Sequence, residues 1–265
     1  MTTATKINSA IKDRQFVTSL ARGLGILRCF STEQPSLGTA AIARMTGLAQ
    51  PTVWRLCHTL IKEGYLVQMD SDKLRLGIPV LSLGYSAIAA TPLAELARTD
   101  MLAIAVRHQG AVSLGTRDGE SMVYLQRCQG SQIVLRDMSV GSRVPVLTSV
   151  TGWAWLAGLT LDVRQQALAQ LCAASPEIYQ TMLPQIEIAL KEYEVVGYVT
   201  NKGSMHSQIN AVGVPVVSDD GGTVLALSSG GLSQLFGDAT LTALGLELKK
   251  LAAQLSAALT AQQHV

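Results

Sequence analysis

The 265-residue sequence predicts an α+β protein, built as a winged helix-turn-helix head, an apolar linker helix and a body of antiparallel strands and helices. Three observations predict it. Residues 39 to 63, TAAIARMTGLAQPTVWRLCHTLIKE, hold two apolar-striped helical stretches that meet at Met45-Thr46-Gly47. Residues 76 to 94 run without a charge. Beyond residue 92, strand-like runs come first, helices follow, strands return and a long helix closes the chain.

The head begins at Ser19, where Leu20, Leu24, Leu27 and Phe30 fall on one helical face and are expected to roof a small core. In the first helix of the central pair, Ile42 and Met45 point inward. Gly47 supplies the turn, Leu48 plugs the corner, and Pro51 opens the second helix, where its missing N–H costs nothing. On that second helix Val53, Leu56, Leu60 and Ile61 face inward at helical spacing. The opposite face then carries Gln50, Thr52, Trp54, Arg55, His58, Thr59 and Lys62, side chains suited to a DNA groove. Two short helices around a Gly turn also occur in all-α domains that bind no DNA, so the segment behind the second helix is decisive. There, Tyr65 to Met69, the turn formers Asp70-Ser71-Asp72, and Lys73 to Gly77 read as a β-hairpin. A hairpin directly behind a recognition helix is a wing, and it would set Lys73 and Arg75 beside the phosphate backbone.

The linker is a helix from Ile78 to about Ala90 in which Ile78, Leu81, Leu83, Tyr85 and Ile88 leave few polar positions. A short helix apolar nearly all round must be covered, and the same helix of a second subunit is the natural cover. A two-fold dimer would also space two recognition helices as a symmetric operator requires. In the body, a helix from Leu93 to His108 ends at Gly110, and strands are expected over Ala111–Thr116, Ser121–Cys128 and Ile133–Met138. Helices come next over Ser149–Gly158, Asp162–Cys172 and Pro176–Val195, the last stopping at Gly197. Strands over Asn210–Val217 and Thr223–Ser229 and a helix from Asp238 to about Ala261 complete it. The expected domains are therefore 16–77, 78–91 and 92–262.

Composition narrows the function classes. The overall net charge of +2 conceals a division: residues 1–75 hold 10 Lys and Arg against 5 Asp and Glu, whereas 76–265 hold 11 against 14. A mildly basic head on a mildly acidic body suits a phosphate-binding module joined to one that does not touch nucleic acid. Cys29, Cys57, Cys128 and Cys172 form no CxxC pair and each sits on an apolar stripe or strand, so free thiols in a reducing cytoplasm are expected. The first 16 residues lack the apolar core of a secretory signal. Pro, Ser, Thr and Gly interrupt both long uncharged runs, 76–94 and 144–161, so buried interfaces are expected there and no membrane span.

An enzyme is the competing class. His58, His108, His206 and His264 show no metal-ligand spacing, and no nucleophile elbow, phosphate-cradling Gly loop or paired carboxylates occur, so no metal and no cofactor are expected. Cys128 beside Arg127 is the one candidate nucleophile for a hydrolase, and its place in a strand favours a structural thiol. A dimeric scaffold whose winged helix meets protein instead of DNA also remains open.

Across residues 16–262 the chain resembles the IclR family of bacterial transcriptional regulators. The matching stretches are Ser19 to Leu24, Gly47-Leu48 with Thr52 to Leu56, Gly64-Tyr65-Leu66, Leu74 to Gly77 and Gly141 to Pro145. Gly152, Ala154, Leu156-Ala157, Ala211 to Val216 and Ala226 to Gly230 continue the series in order. The resemblance implies operator DNA and a small-molecule effector as partners, a GAF-like effector-binding domain, and a dimer that often pairs into a tetramer. It leaves repressor and activator equally open. It also implies a pocket walled by Leu147, Thr148, Val150, Thr151 and Trp153, by Asn201, Ser204 and His206, and by Ser228 and Ser229. Neutral hydrogen-bonding groups among apolar ones suit an interior small-molecule site, and main-chain N–H groups at the start of the Ser149 helix could receive a carboxylate. Leu147 and Trp153 stand where many members carry His and Lys, and Ser204 and His206 where acidic residues are common. With Trp155 nearby, this points to an organic acid or a larger, partly aromatic ligand packed on Trp153, unless both tryptophans belong to a subunit interface.

Overall fold

The computed structural model describes residues 15–70, 72–130 and 138–263. Ser71 of the expected wing turn and residues 133–137 of the strand expected over Ile133–Met138 lie outside them. The chain divides into two compact units, Met1–Ala87 and Ile88–Val265.

The first unit comprises helix α1 (Thr18–Leu27), strand β1 (Ser36–Gly38), helices α2 (Thr39–Thr46) and α3 (Gln50–Lys62), strands β2 (Leu66–Gln68) and β3 (Lys73–Leu76), and most of helix α4 (Ile78–Ala89). Its core gathers Ile26, Leu37, Ile42, Val53, Cys57, Leu66 and Leu74, with Leu27, Phe30, Leu48, Leu56, Leu60 and Ile61 packed around them. Gly47 ends α2 in the left-handed region, φ 67°, a conformation that favours glycine, and so turns the chain into α3.

Three expectations are corrected here. Leu20 and Leu24 do not roof the core; they are 61% and 49% exposed. The inward arc of α1 is centred on the fully buried Ile26, and a residue two positions away lies about 200° round a helix. Met45 is also exposed, because Leu48, just beyond the turn, fills the corner under α2. Finally, the wing is a three-stranded antiparallel sheet in the order β1-β3-β2, with Leu37 opposite Leu74. At three residues, β1 is too short to announce itself by alternation.

The second unit contains helices α5 (Pro92–Leu96) and α6 (Arg98–His108), and strands β4 (Ala111–Asp118), β5 (Ser121–Gln129) and β6 (Arg143–Pro145). Helices α7 (Val150–Gly158), α8 (Leu161–Ala174) and α9 (Pro176–Val196) come next, then strands β7 (Val199–Lys202), β8 (Ile209–Val217) and β9 (Val224–Leu232), and helix α10 (Asp238–Gln263). The single helix expected over Leu93–His108 is two, broken at Ala97, and its end is Gln109 at φ 52° instead of Gly110.

The six strands form one antiparallel sheet in the order β6-β5-β4-β9-β8-β7. Side chains alternate across it and create two cores. Val112, Leu114, Cys128, Val212, Val214, Leu225 and Leu227 pack with residues of α5, α6 and α10, among them Leu93, Met101, Leu244 and Leu248. On the other face Met122, Tyr124 and Ala226 pack with α7 to α9, including Trp153, Leu156, Leu171 and Ile186. Trp155 lies in this second core as well, with the Arg117 guanidinium 4.9 Å from its ring centre. Helix α7 can press this closely because Gly213 has no side chain: a Cβ there would meet Ala154 Cβ at 3.0 Å. Among the described residues no helix is long and apolar enough to cross a membrane, and no three His, Cys, Asp or Glu cluster as a metal site.

Candidate nucleic-acid interface and ligand cavity

Helix α3 is amphipathic. Its N-cap Ala49 makes no side-chain bond, and Pro51 lies in the first turn, where it removes a donor that has no intrahelical acceptor. Val53 and Cys57 are buried, with Leu56, Leu60 and Ile61 beside them, and this anchors the inner face. Gln50, Trp54, Arg55, His58, Thr59 and Lys62 are exposed and Thr52 is half-buried. The Thr59 hydroxyl donates to the Arg55 carbonyl at 3.2 Å, so it is partly spent on its own helix. Trp54 and His58, one turn apart, stack with ring centres 5.5 Å apart and planes 14° from parallel. On β3, Lys73 and Arg75 are exposed while Leu74 between them points into the core. The cysteine below this surface is inert: burial pushes the Cys57 thiol up to about 11, with a smaller push from the neighbouring Cys29.

The second unit holds a cavity between the sheet and the start of α7. Its floor is paved with small residues. Ala111, Gly230 and Ala211 form one cross-strand row ending at Asn201, and Ser113 and Ser228 lie in the next row beside Arg127. Ser149, Val150 and Thr151 of α7 border it above, Tyr124 and Arg127 on one side, and Asn201, Met205, His206 and Ile209 on the other. With its mouth it holds about 520 Å³ of atom-free space.

The polar groups are largely fixed. Ser149 caps α7 by accepting from Gly152 N–H at 3.1 Å, whereas the Val150 and Thr151 N–H groups meet no acceptor among the described residues. Thr151 and Ser228 share a hydroxyl bond of 2.8 Å. Arg127 donates from Nη1 to Ser113 Oγ at 2.9 Å, and its guanidinium carbon lies 5.7 Å from the Tyr124 ring centre. With the Gln129 carboxamide oxygen turned toward it, Arg127 also donates to that oxygen from Nη2 and Nε at 3.3 and 3.2 Å. Burial lowers the Arg127 guanidinium below its ordinary value. An anion beside it would reverse that. Among the described lining residues none is a carboxylate.

Of the residues expected here, Val150, Thr151, Asn201, His206, Ser228 and Ser229 border the cavity. Leu147, Thr148, Trp153 and Ser204 do not. Trp153 is a core residue whose indole N–H donates to the Leu147 carbonyl at 2.8 Å, so it offers no wall to a ligand. Thr148 contributes its carbonyl, which accepts from Asn201 Nδ2 at 2.9 Å. Ser204 supports the same side chain: its N–H donates to Asn201 Oδ1 at 3.1 Å. Ser229 borders the cavity only along its main chain. It alternates with Leu225 and Leu227 toward the other face, where its hydroxyl is buried with no partner among the described residues. Ser113, Tyr124 and Arg127 were not legible as site residues. Cys128, the candidate nucleophile, faces the apolar core; its thiol donates to the Arg98 carbonyl at 3.6 Å and burial pushes its pKa up.

Two family models match the chain: the IclR helix-turn-helix domain over residues 19–70 and the bacterial transcriptional regulator IclR C-terminal over residues 85–257. The HTH-type transcriptional regulator TsaQ1/TsaQ2 of Comamonas testosteroni is 36% identical over 205 residues, 76% of this chain and 73% of that protein. The crystal structure of an IclR family transcriptional regulator from Brucella abortus superposes with a TM-score of 0.85 at 36% identity, covering 96% of each chain. An IclR homolog from Microbacterium hydrocarbonoxydans, complexed with 4-hydroxybenzoate, shares the fold with a TM-score of 0.69 at 22% identity, over 92% of this chain and 99% of that one.

Proposed function

Because the chain belongs to the IclR family of bacterial transcriptional regulators, we propose that it reads symmetric operator DNA as a homodimer, through α3, and is switched by an organic anion with a partly apolar body. It is a transcriptional regulator with a helix-turn-helix DNA-binding domain and an effector-binding C-terminal domain, and its relatives are regulators, not enzymes. On the DNA side, Gln50, Thr52, Trp54, Arg55, His58 and Lys62 meet base edges and phosphates, while Lys73 and Arg75 hold the flanking backbone.

The observation that carries the effector class is the cationic character of the cavity: the Arg127 guanidinium lies on its lining, and the Val150 and Thr151 N–H groups bordering it meet no acceptor among the described residues. Ser113 and Gln129 hold the guanidinium in place, and those N–H groups at the start of α7 add partial positive charge. A carboxylate suits that seat. Tyr124, Met138, Met205 and Ile209 supply apolar area for the remainder of the molecule, the role that Trp153 cannot fill from the core.

The test is a calorimetric titration of the full-length protein with 4-hydroxybenzoate and other monocarboxylates of one-ring size, each paired with its neutral amide. A carboxylate is expected to bind more tightly than its amide. Arg127→Gln should weaken the carboxylate at least about tenfold and leave the amide little changed, since a hydrogen bond to a charged group contributes about 1.5–3 kcal/mol. Equal affinity for acid and amide, or an unaffected variant, would overturn the reading.

A further inference from the structure

Helix α3 displays a large apolar ring on the face that should be its most polar. Trp54 is 60% exposed and is absent from the core of its unit, which is built from the opposite face of the same helix. Its one ring partner among the described residues is His58, stacked on it at 5.5 Å and 14°. Residues four apart on a helix are neighbours, so the stack pins the indole along α3 and presents one flat surface beside the cations of Arg55 and Lys62. Such a surface is misplaced against water or phosphate, and it cannot stack on bases, whose faces are hidden inside a duplex. What a major groove does offer an apolar side chain is the C5 methyl group of thymine.

We infer that Trp54, positioned by His58, reads a thymine through its methyl group beside the base pair met by Arg55, and so sets a sequence preference of the operator. The inference rests on α3 being the DNA-contacting helix. For this thymine contact His58 is a positioning residue, because its ring fixes the indole and the methyl is met by Trp54.

The experiment starts from a duplex selected by the full-length protein from a random-sequence library. Each thymine is then replaced in turn by deoxyuridine, which pairs identically but lacks the methyl. Wild type should show a thymine in each half-site whose replacement weakens binding about fourfold, the effect of one buried methyl-sized group. Trp54→Ala should bind more weakly and no longer distinguish the two bases there, and His58→Ala should lose part of the distinction. Circular dichroism should show both variants folded, since both side chains are exposed. Tight, salt-sensitive binding with no position at which deoxyuridine matters would overturn the inference alone. Recovery of no duplex at all would overturn both it and the reading of α3 beneath it.

Discussion

At the scale of single residues, Arg127 shows how a site can be hidden from a sequence reading. Met122 and Tyr124 face the α7 side of the sheet, and strict alternation would send Gln126 and Cys128 there too and Arg127 to the core. A bulge opposite Leu114 and Gly115 inverts the phase: Tyr124 pairs with Gly115 and Gln126 with Leu114, leaving Leu125 extra. The inversion turns Arg127 into the cavity and buries Cys128, and no local pattern announces it. Ser228 and Thr151 were legible because Ser and Thr within apolar runs imply a partner, and they are each other's. Ser229 shares that composition and faces the other way, so composition located the region but not the side chain. Cys57 gives a simple check on burial. With its pKa raised to about 11, the thiol stays protonated at pH 8, and only a thiolate attacks. Cys57 should therefore not react with a disulfide reagent at pH 8 until the protein is unfolded, ahead of which the half-buried Cys172 should react, and Cys29, whose thiol burial also pushes up, more slowly than Cys172. Modification of native Cys57 at the rate of an unfolded thiol would contradict the packing of α3.

At the scale of elements, long periodic stretches were legible and short or context-bound ones were not. Helices α2, α3 and α7 to α10 and strands β4, β5, β8 and β9 fall close to their expected positions, each having enough residues to show its period or a clear stop such as Gly197 at φ 79°. Strands β1, β6 and β7 have three or four residues and exist through pairing with distant partners, for example Leu37 with Leu74 and Val199 with Gly213. Helix α4 is the element on which the proposed dimer rests most. None of its residues is buried within the chain, and Ile78, Leu81 and Tyr85 are about 70% exposed. Covering each such side chain contributes about 1.5–3 kcal/mol, and two-fold symmetry doubles every contact. Leu81→Glu with Tyr85→Glu should thus raise the dimer dissociation constant more than about a hundredfold, measured by sedimentation, while the circular dichroism of each unit is retained. A double variant that sediments as wild type would show that α4 is not the interface.

At the scale of the whole molecule, the division of charge read from the sequence coincides with the division of labour: the cation-bearing face of α3 lies in one unit, the ligand cavity in the other. Neither unit alone is a switch. A ligand changes operator binding only by preferring one of two states of the protein, typically by about 1–3 kcal/mol, and the operator must then change ligand affinity by the same factor. Sign was not legible, since closing on an anion can favour the bound or the released state equally well. The measurement that tests the account most directly is the affinity of the selected duplex for the full-length protein, with and without a saturating carboxylate identified by the calorimetric titration. In wild type that affinity should change between about fivefold and 150-fold, in either direction, and in Arg127→Gln the half-maximal change should need at least about ten times more carboxylate. An operator affinity indifferent to a carboxylate that demonstrably fills the cavity would contradict the account.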